Sequence, residues 1–443
     1  MKAIFSYFSF RPSNNGSLAP SESLPAPTPP LPARQLGRRL GALLLLAALS
    51  PLFAACTGRD LGASDEGWSP VVAAEGMVYV GTIKGQVLAL KDSGNAVSLQ
   101  WTFPANEEDF IDGVYNSPVV GPDMVYVAAL NGTLYALDKL TGILDWSVVV
   151  GDVSAPASLV GGPVLSPDNT TVLVGSEDSN LYAYDAKTGS LRRGYPFEEP
   201  QDKIWSTPVV KDGVVYFGSH DKNVYAVDLR SGEEKWRWET GGAVVARPLL
   251  FKDLVVIGSF DKALYALRAD DGTPVWGGQS FPGLQLFEGA GNWFWAGAVA
   301  NNSSIFAPAM DGKVYAIDGN GNLRWEQQLG SPIVSTPVLV PLGLIVATRD
   351  GEVNRLSPES GLISGLPRLP SEVKAPLSAL EAIDPASQDF SQVDQSDSVF
   401  IGTQDGIVYR LRVTSGQSHN ILWCFDTEQK IQLPISECSV AKE

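Results

Sequence analysis

The sequence repeats one short phrase along most of its length. GSHDKNVYAVD begins at Gly218, and close variants begin at Gly175, Gly258 and Ala309. When the copies are aligned on the second strand of the phrase, eight of them follow one another at spacings of 39 to 55 residues. The aligned positions are Leu88, Tyr135, Tyr182, Tyr225, Tyr265, Tyr315, Asn354 and Tyr409. Internal repeats of about 20 to 50 residues are typical of solenoids and propellers, so this feature decides the class of fold.

The fullest copy runs from Ser206 to Thr240 and contains four short apolar or alternating runs separated by KDG, HDK and RSG. These separators suit tight turns, because Gly and Asp tolerate the backbone angles that hairpins require. Each copy therefore predicts a four-stranded antiparallel meander. Such meanders bury their faces against each other when they are placed radially. We predict an all-β chain with one eight-bladed β-propeller over residues 68–425.

The predicted blades begin near residues 68, 117, 163, 206, 246, 298, 335 and 399. The seventh copy is degraded, since GEVNRLSPESG lacks both the Tyr and the later Trp of the others. The composition agrees with short strands and many turns, because the chain has 44 Gly and 31 Pro. No long segment with helical periodicity interrupts the repeats.

The first 55 residues differ from the rest and are predicted to be a leader. Arg34, Arg38 and Arg39 precede the apolar run 40–55, which is the order of the basic and apolar regions in a secretory signal peptide. A transmembrane helix is the competing interpretation, but this run has 16 residues and contains Pro51. A spanning helix needs about 20. The length of the leader suggests that translation starts nearer Gly37.

The apolar run ends in Phe53-Ala54-Ala55-Cys56, which resembles the lipobox of bacterial lipoproteins. The resemblance implies cleavage before Cys56 and attachment of a lipid to its sulfur, with residues 56–67 as a linker. Two alternatives stay open: an ordinary secretory signal followed by an incidental cysteine, and a twin-arginine signal at Arg38-Arg39. The prediction is an extracytoplasmic lipoprotein, on the periplasmic side of an outer membrane or on the cell surface.

The chain has three cysteines, so lipidation of Cys56 would leave Cys424 and Cys438 as a pair. Disulfides persist in oxidising compartments, and one here would tie the predicted tail, residues 426–443, to the last blade. The alternative is two unpaired thiols. Without residues 1–55 the chain would carry 27 basic and 48 acidic residues, a net charge of about −21. Nucleic acid is excluded as a partner, because binding to phosphates requires clustered Lys and Arg.

Repeated Asp and Trp residues are the candidates for chemistry. Asp178, Asp221 and Asp261 share one turn position with three later aspartates; we interpret them as turn residues rather than as a Ca²⁺ ring. We assign the recurring tryptophans to packing between blades rather than to an aromatic ligand cage. They are Trp101, Trp146, Trp236, Trp276, Trp325 and Trp423. His220 and His419 have no partner pattern for zinc or for a Ser-His catalytic set, so no catalytic, metal or cofactor residue is predicted.

The repeat PVV-x-DG-x-VYFGS-x-D-x-x-VYAVD-x-x-SG-x-x-x-W is similar to the pyrroloquinoline-quinone-type propeller repeat. One branch of that family, the quinoprotein dehydrogenases, holds the quinone and Ca²⁺ over the axis and often has a vicinal cysteine pair. This chain has no such pair and no long insertions. The other branch comprises the outer-membrane β-barrel assembly lipoproteins of Gram-negative bacteria, which are bare propellers behind a lipobox.

The resemblance to this second branch implies a non-enzymatic scaffold that is anchored by a lipid and binds envelope proteins, with a β-barrel assembly complex as the candidate partner and no cofactor. A quinone-dependent oxidoreductase and an extracytoplasmic carbohydrate or peptide sensor are the alternatives.

We place partner binding on the face that carries the links between blades, because these links vary while the opposite turns stay short. The longest link, FPGLQLFEGAGNWFWAG from Phe281, concentrates apolar residues in a loop. Aromatic residues in loops are common interface anchors. The predicted partner-binding residues are Leu284, Leu286, Phe287, Trp293, Phe294 and Trp295. The alternative is that this loop folds inward and plugs the axis.

Overall fold

The computed structural model describes residues 70–106, 109, 111–276, 290–379, 398–414 and 420–439. The predicted leader, the lipid site Cys56 and the linker 56–67 lie outside the described residues, as do Leu284, Leu286 and Phe287. The described chain forms eight antiparallel sheets, each made of strands that follow one another in the sequence. The predicted eight-bladed β-propeller is confirmed.

The strands of the first four blades are short and alternate with tight turns. They are β1 (Val71–Ala74), β2 (Met77–Gly81), β3 (Val87–Asp92) and β4 (Val97–Phe103); β5 (Val119–Val120), β6 (Met124–Ala128), β7 (Thr133–Asp138) and β8 (Leu144–Val149); β9 (Val164–Leu165), β10 (Thr171–Gly175) and β11 (Leu181–Asp185); and β12 (Val209–Lys211), β13 (Val214–Gly218), β14 (Asn223–Asp228) and β15 (Glu234–Glu239).

The last four blades follow the same plan. They are β16 (Leu249–Phe251), β17 (Leu254–Gly258), β18 (Leu264–Arg268) and β19 (Pro274–Trp276); β20 (Val299–Ala300), β21 (Ile305–Pro308), β22 (Lys313–Ile317) and β23 (Leu323–Gln328); β24 (Val338–Val340), β25 (Gly343–Ala347), β26 (Val353–Leu356) and β27 (Ile363–Gly365); and β28 (Ser378–Ala379), β29 (Ser398–Gly402), β30 (Ile407–Arg412), β31 (Asn420–Asp426) and β32 (Ile431–Leu433).

Two blades depart from the predicted four strands. Blade 3 has three strands, and its fourth position is marked only by the isolated bridges Leu181↔Phe197 and Tyr184↔Leu191. Blade 8 has five strands. It begins with β28, before the predicted start near residue 399, and it ends with β32, inside the segment predicted to be a tail. The two-residue strand β28 is too short to be recognised as the first strand of a repeat, which explains why the predicted start of blade 8 was too late.

The core lies between the blades rather than in one central mass. The buried apolar side chains of the described residues form eight clusters, each drawn from two blades that are neighbours in the ring. One of these clusters joins Val80 and Leu88 of the first blade to Phe400 and Phe425 of the last. Burying both faces of every sheet in this way requires a closed ring.

Six of the eight interfaces between blades are fastened by an indole ring. The recurring tryptophans lie in fourth strands, half-buried or buried, and five of them donate an indole N–H to a backbone carbonyl in the next blade. These bonds are Trp101 to Lys139 (3.1 Å), Trp146 to Ala186 (3.1 Å), Trp236 to Ala269 (3.0 Å), Trp276 to Gly319 (3.1 Å) and Trp325 to Pro358 (3.1 Å). Blade 3 has no tryptophan here, and the Tyr195 hydroxyl donates to the equivalent carbonyl, that of Leu229, at 3.3 Å.

The seam between blades 8 and 1 is held by a charged pair and by hydrogen bonds. Trp423 donates to the Asp92 carboxylate at 3.1 Å, and the same oxygen accepts a hydrogen bond from Arg410 at 2.7 Å. Cys424 and Cys438, both in blade 8, are joined by a disulfide with their Cα atoms 5.8 Å apart, and they lie in the buried cluster between blades 7 and 8. This bond lies beside β32, whose Gln432 side chain accepts a hydrogen bond from the Val97 amide at 2.8 Å.

Candidate functional site

A cavity of about 610 Å³ lies among the first strands of the blades. Its wall is mainly apolar, with valines from most blades. One position of the repeat, just before each first strand, contributes a side chain from seven different blades. These side chains are Tyr115, Val160, Trp205, Val245, Trp295, Val334 and Lys374. Because a propeller brings equivalent positions around one axis, this ring of side chains surrounds the cavity at one level.

Five aromatic rings cluster where blades 4, 5 and 6 meet this ring of side chains. We call them the aromatic surface: Trp205, His220, Phe260, Trp293 and Trp295. Trp205 lies 4.3 Å from His220 and 6.3 Å from Trp295, measured between ring centroids. Phe260 stacks on Trp293 at 5.0 Å and on Trp295 at 5.8 Å. The five side chains therefore form one continuous patch.

Turns and links hold these rings on the same face. His220 and Phe260 occupy the turns between β13 and β14 and between β17 and β18. Their amides donate to carbonyls of the preceding links, at Lys203 (2.9 Å) and Ala243 (2.9 Å). The carbonyl of Trp293 accepts in the same way from Met310 in the next turn, at 2.9 Å. His220, Phe260 and Trp293 thus sit on backbone that is fixed by a hydrogen bond between a turn and the link before it.

All five rings of the aromatic surface are half-buried. Burial lowers the pKa of His220, and its Nε2 has no hydrogen-bond partner among the described residues. The neutral imidazole is therefore the favoured form near pH 7. At the edge, Glu177 accepts the indole N–H of Trp205 at 2.9 Å, and Lys203 lies over that ring at 5.6 Å. The patch is aromatic at its centre and charged at its rim.

The aromatic side chains in the described part of the predicted partner-binding loop lie in two different environments. Trp293 and Trp295 belong to the aromatic surface, and Trp295 also lines the cavity. Phe294 points the other way: it is 1% exposed and packs in the cluster between blades 5 and 6. Its neighbours in sequence alternate with it, as expected for extended backbone. Phe294 was therefore wrongly included among residues available to a partner.

Three aromatic residues of the surface were not predicted to bind anything. Trp205 holds the same repeat position as Trp295, and His220 holds the same turn position as Phe260. Aligning the copies by these two positions would have revealed the pattern. In the sequence, aromatic residues are concentrated in the long link from Phe281, whereas Trp205, His220 and Phe260 occur singly.

The repeated aspartates bind their own turns. Asp221 accepts hydrogen bonds from the amide of Asn223 (2.9 Å), the hydroxyl of Tyr225 (2.6 Å) and the amide of Gln201 (2.9 Å). Asp311 repeats this pattern with Lys313, Tyr315 and Gly291. Each carboxylate thereby ties a turn to a third strand and to the preceding link. Within the described ranges, no three His, Cys, Asp or Glu side chains are grouped to hold a metal ion.

The fold and the site together define a class: a closed eight-bladed propeller of quinone-type repeats, with an aromatic surface at one end of its axial cavity. The family model described as "Outer membrane protein assembly factor BamB" matches residues 47–277 and 288–422. The chain belongs to this family. In the part of the chain that the structure describes, no helix has the length and apolar character needed to cross a membrane.

The relatives include an outer membrane protein assembly factor and a quinoprotein dehydrogenase. The outer membrane protein assembly factor BamB of Yersinia pestis is 26% identical over 302 residues, covering 64% of this chain and 70% of that protein. A quinoprotein ethanol dehydrogenase of Pseudomonas putida is 27% identical over 157 residues, covering 32% of this chain and 23% of the dehydrogenase. The crystal structure of the computationally designed Ika8 protein superposes with a TM-score of 0.62 at 18% identity, covering 79% and 97% of the two chains. This last likeness shows the fold alone.

Proposed function

We propose that this protein is a lipid-anchored, extracytoplasmic propeller that acts as a non-enzymatic protein-binding scaffold in outer-membrane protein assembly. The observation that carries the proposal is the aromatic surface. Interface hot spots are enriched in Trp and cluster in well-packed patches surrounded by a polar rim, which is the arrangement around Trp205, Trp293 and Trp295. Family membership and the Yersinia pestis relative support outer-membrane assembly as the process.

The partner we propose is a subunit of a β-barrel assembly complex. Fixed backbone under the aromatic rings favours binding, because side chains that are already positioned lose little conformational freedom when a partner docks. The charged rim of Glu177 and Lys203 would orient the partner. The lipid on Cys56 and the signal peptide before it are part of this proposal, and they rest on the lipobox-like sequence.

Crosslinking in intact cells tests the proposal. Trp293→Ala combined with Trp295→Ala should reduce partner capture by about tenfold or more, since hot-spot residues contribute upwards of 2 kcal/mol each. A matched control replaces Leu140 and Ile143 with Ala; these side chains are 77% and 67% exposed and lie in the turn between β7 and β8. The control should capture partners normally.

The melting temperature distinguishes a loop that binds a partner from a loop that folds inward and plugs the axis. If the double tryptophan variant loses stability while its folded fraction captures partners normally, the loop supports the axis and the interface lies elsewhere. If both variants capture partners equally and both stay stable, the aromatic surface is not the binding site.

Because one relative is a quinoprotein dehydrogenase, a quinone-dependent oxidoreductase is a second candidate function. The match covers only 23% of that enzyme, a length that propeller repeats alone can supply. Fold does not imply function, so this candidate needs a direct test. An absorption spectrum of the purified protein after incubation with pyrroloquinoline quinone and Ca²⁺ should show no retained quinone after gel filtration. Retention of one equivalent would favour the enzyme.

A further inference from the structure

A second ring of side chains surrounds the axial cavity, two residues further along each link than the ring that contains Trp205 and Trp295. In six blades its members are Ser117, Thr207, Arg247, Gly297, Thr336 and Pro376. Side chains two residues apart in extended backbone point to the same side, so both rings face the cavity. The first ring is mainly apolar or aromatic, whereas the second carries a cation and three hydroxyl groups.

The wall of the cavity is cationic. The residues that line it include Arg247 and Lys374 but, in the part of the chain that the structure describes, no Asp or Glu. The Lys374 side chain is 4% exposed, and its Nζ lies 2.8 Å from the Glu372 carboxylate, which balances its charge. Arg247, in contrast, is exposed. An occupant of the cavity therefore meets positive charge, which favours an anion.

The hydroxyl groups of the second ring can donate to an occupant. The Thr207 hydroxyl oxygen accepts from the amide of Gly162 at 2.9 Å and from the Asn116 side chain at 3.3 Å, and that of Thr336 accepts from the amide of Gly297 at 3.1 Å. A hydroxyl that accepts in this way still has its hydrogen to donate. Across the described ranges neither threonine hydroxyl donates to another protein atom. The wall thus offers donors and lacks a matching acceptor.

Gly297 leaves space between two of these donors. A methyl group at this position would lie 3.3 Å from the Thr336 hydroxyl oxygen and 3.4 Å from Cβ of Arg247. The side chains of Arg247 and Thr336 therefore border the space above Gly297, which has no side chain to fill it. A guanidinium binds a carboxylate through two parallel N–H donors, and a carboxylate oxygen has room to accept from a hydroxyl as well.

We propose that the axial cavity binds a small amphipathic carboxylate. Its head would accept hydrogen bonds from Arg247 and the Thr336 hydroxyl, and its aliphatic part would lie against valines of the first strands, such as Val299 and Val338. The volume of about 610 Å³ suits a small ligand. A single negative charge matches Arg247, whereas the second charge of a phosphate would face Lys374, which Glu372 already balances. The site does not rest on the function proposed above.

The test measures binding of octanoate to the purified protein by ligand-observed NMR titration. An anion of about ten non-hydrogen atoms should bind with a dissociation constant of about 0.1 to 10 mM at ordinary ligand efficiency. Octylamine and butanoate are the comparison ligands, and each should bind at least tenfold more weakly. Octylamine reverses the charge, and butanoate lacks about four CH₂ groups that would contact the apolar wall.

Substitutions at Arg247 locate the site. Arg247→Gln should weaken octanoate binding at least tenfold, because a hydrogen bond between charged groups is lost, and it should remove the preference for octanoate over octylamine. Arg247→Lys keeps the charge without the paired N–H donors and should bind with intermediate affinity. Arg230→Gln is the matched control, since Arg230 is an exposed arginine in the turn between β14 and β15; it should bind as the parent does.

Circular dichroism checks that each variant folds. If Arg247→Gln does not fold, Thr336→Val serves in its place and should weaken octanoate binding at least threefold. The proposal is overturned if octanoate shows no saturable binding, if octylamine binds equally well, or if the folded variants bind as the parent does. Tighter binding of octyl phosphate than of octanoate would contradict a carboxylate site. Displacement of octanoate by one equivalent of pyrroloquinoline quinone would overturn the proposal by assigning the cavity to the quinone.

Discussion

Arg410 and Asp92 are 318 residues apart in the sequence, yet a guanidinium nitrogen of Arg410 donates to the Asp92 carboxylate at 2.7 Å. The two side chains are 11% and 3% exposed. Asp92 also accepts from Trp423, and Arg410 donates to the carbonyl of Gly94. At this seam a buried carboxylate takes the place of the backbone carbonyl that binds tryptophan at other interfaces.

Asp92→Ala should therefore destabilise the ring strongly. Removing one partner of a buried ion pair leaves an uncompensated charge and costs about 3 to 5 kcal/mol. Equilibrium unfolding in urea measures the loss. The comparison is Lys84→Gln, which breaks the pair of Lys84 with Glu428 at the same seam, where the side chains are 58% and 57% exposed. Exposed pairs are weak, and equal losses for the two variants would contradict the assigned role of Asp92.

Gly272→Ala should destabilise the protein more than Gly213→Ala. Both glycines have positive φ angles, +72° and +75°, so both substitutions carry the same conformational penalty of about 1 to 2 kcal/mol. A methyl group at Gly272 would lie 2.6 Å from the Trp236 ring, whereas one at Gly213 meets nothing within 4 Å. Overpacking adds about 1 to 3 kcal/mol at Gly272. Thermal unfolding of the two variants gives the difference; no difference would mean that Trp236 is not held against this turn.

His220 should make stability depend on pH below neutrality. Burial lowers its pKa in the folded state, while Asp202 raises it, Lys203 lowers it, and Glu177 and Asp221 raise it by smaller amounts. Between the folded pKa and the unfolded value of about 6.5, the unfolded chain binds more protons, so stability rises with pH across that window and falls on acidification. His220→Gln should lose less stability than the parent between about pH 7.5 and pH 5. His419→Gln, at the chain's other histidine, controls for the substitution, and identical pH profiles of parent and His220→Gln would contradict the prediction.

Cys56→Ser should abolish membrane association if Cys56 carries the lipid. An acyl chain supplies about 0.8 kcal/mol of membrane affinity per buried CH₂ group, and the net negative charge of the chain gives no attraction to an anionic membrane surface. Partitioning of whole-cell extracts between detergent and aqueous phases measures the change. A serine variant that still enters the detergent phase would show that another feature holds the protein at the membrane.

The repeat made most of the fold predictable. The spacing of Tyr182, Tyr225 and Tyr265 marked third strands, and the turns between them marked hairpins. Such signals are local, because turn chemistry and alternation depend on neighbouring residues. The two-residue strand β28 is separated from β29 by residues 380–397, so no local signal connected it to blade 8.

The site was less predictable, because it is assembled from distant parts of the chain. Trp205, His220 and Phe260 belong to three links or turns, and only the curvature of the ring brings them to Trp293 and Trp295. Periodicity identifies the strands but not these cross-blade contacts.

Every described sheet is completed by its own uninterrupted stretch of chain, and the first and last blades exchange no strand. The backbone ladders therefore do not distinguish one blade boundary from another. A circularly permuted gene that opened the ring at the link between β15 and β16, and joined blade 8 to blade 1 through a linker, would keep every ladder hydrogen bond of the parent. In such a permutant the contacts among Asp92, Arg410 and Trp423 would join two blades that are consecutive in the chain. The new first and last blades would then be held together by the hydrogen bond from Trp236 to the carbonyl of Ala269.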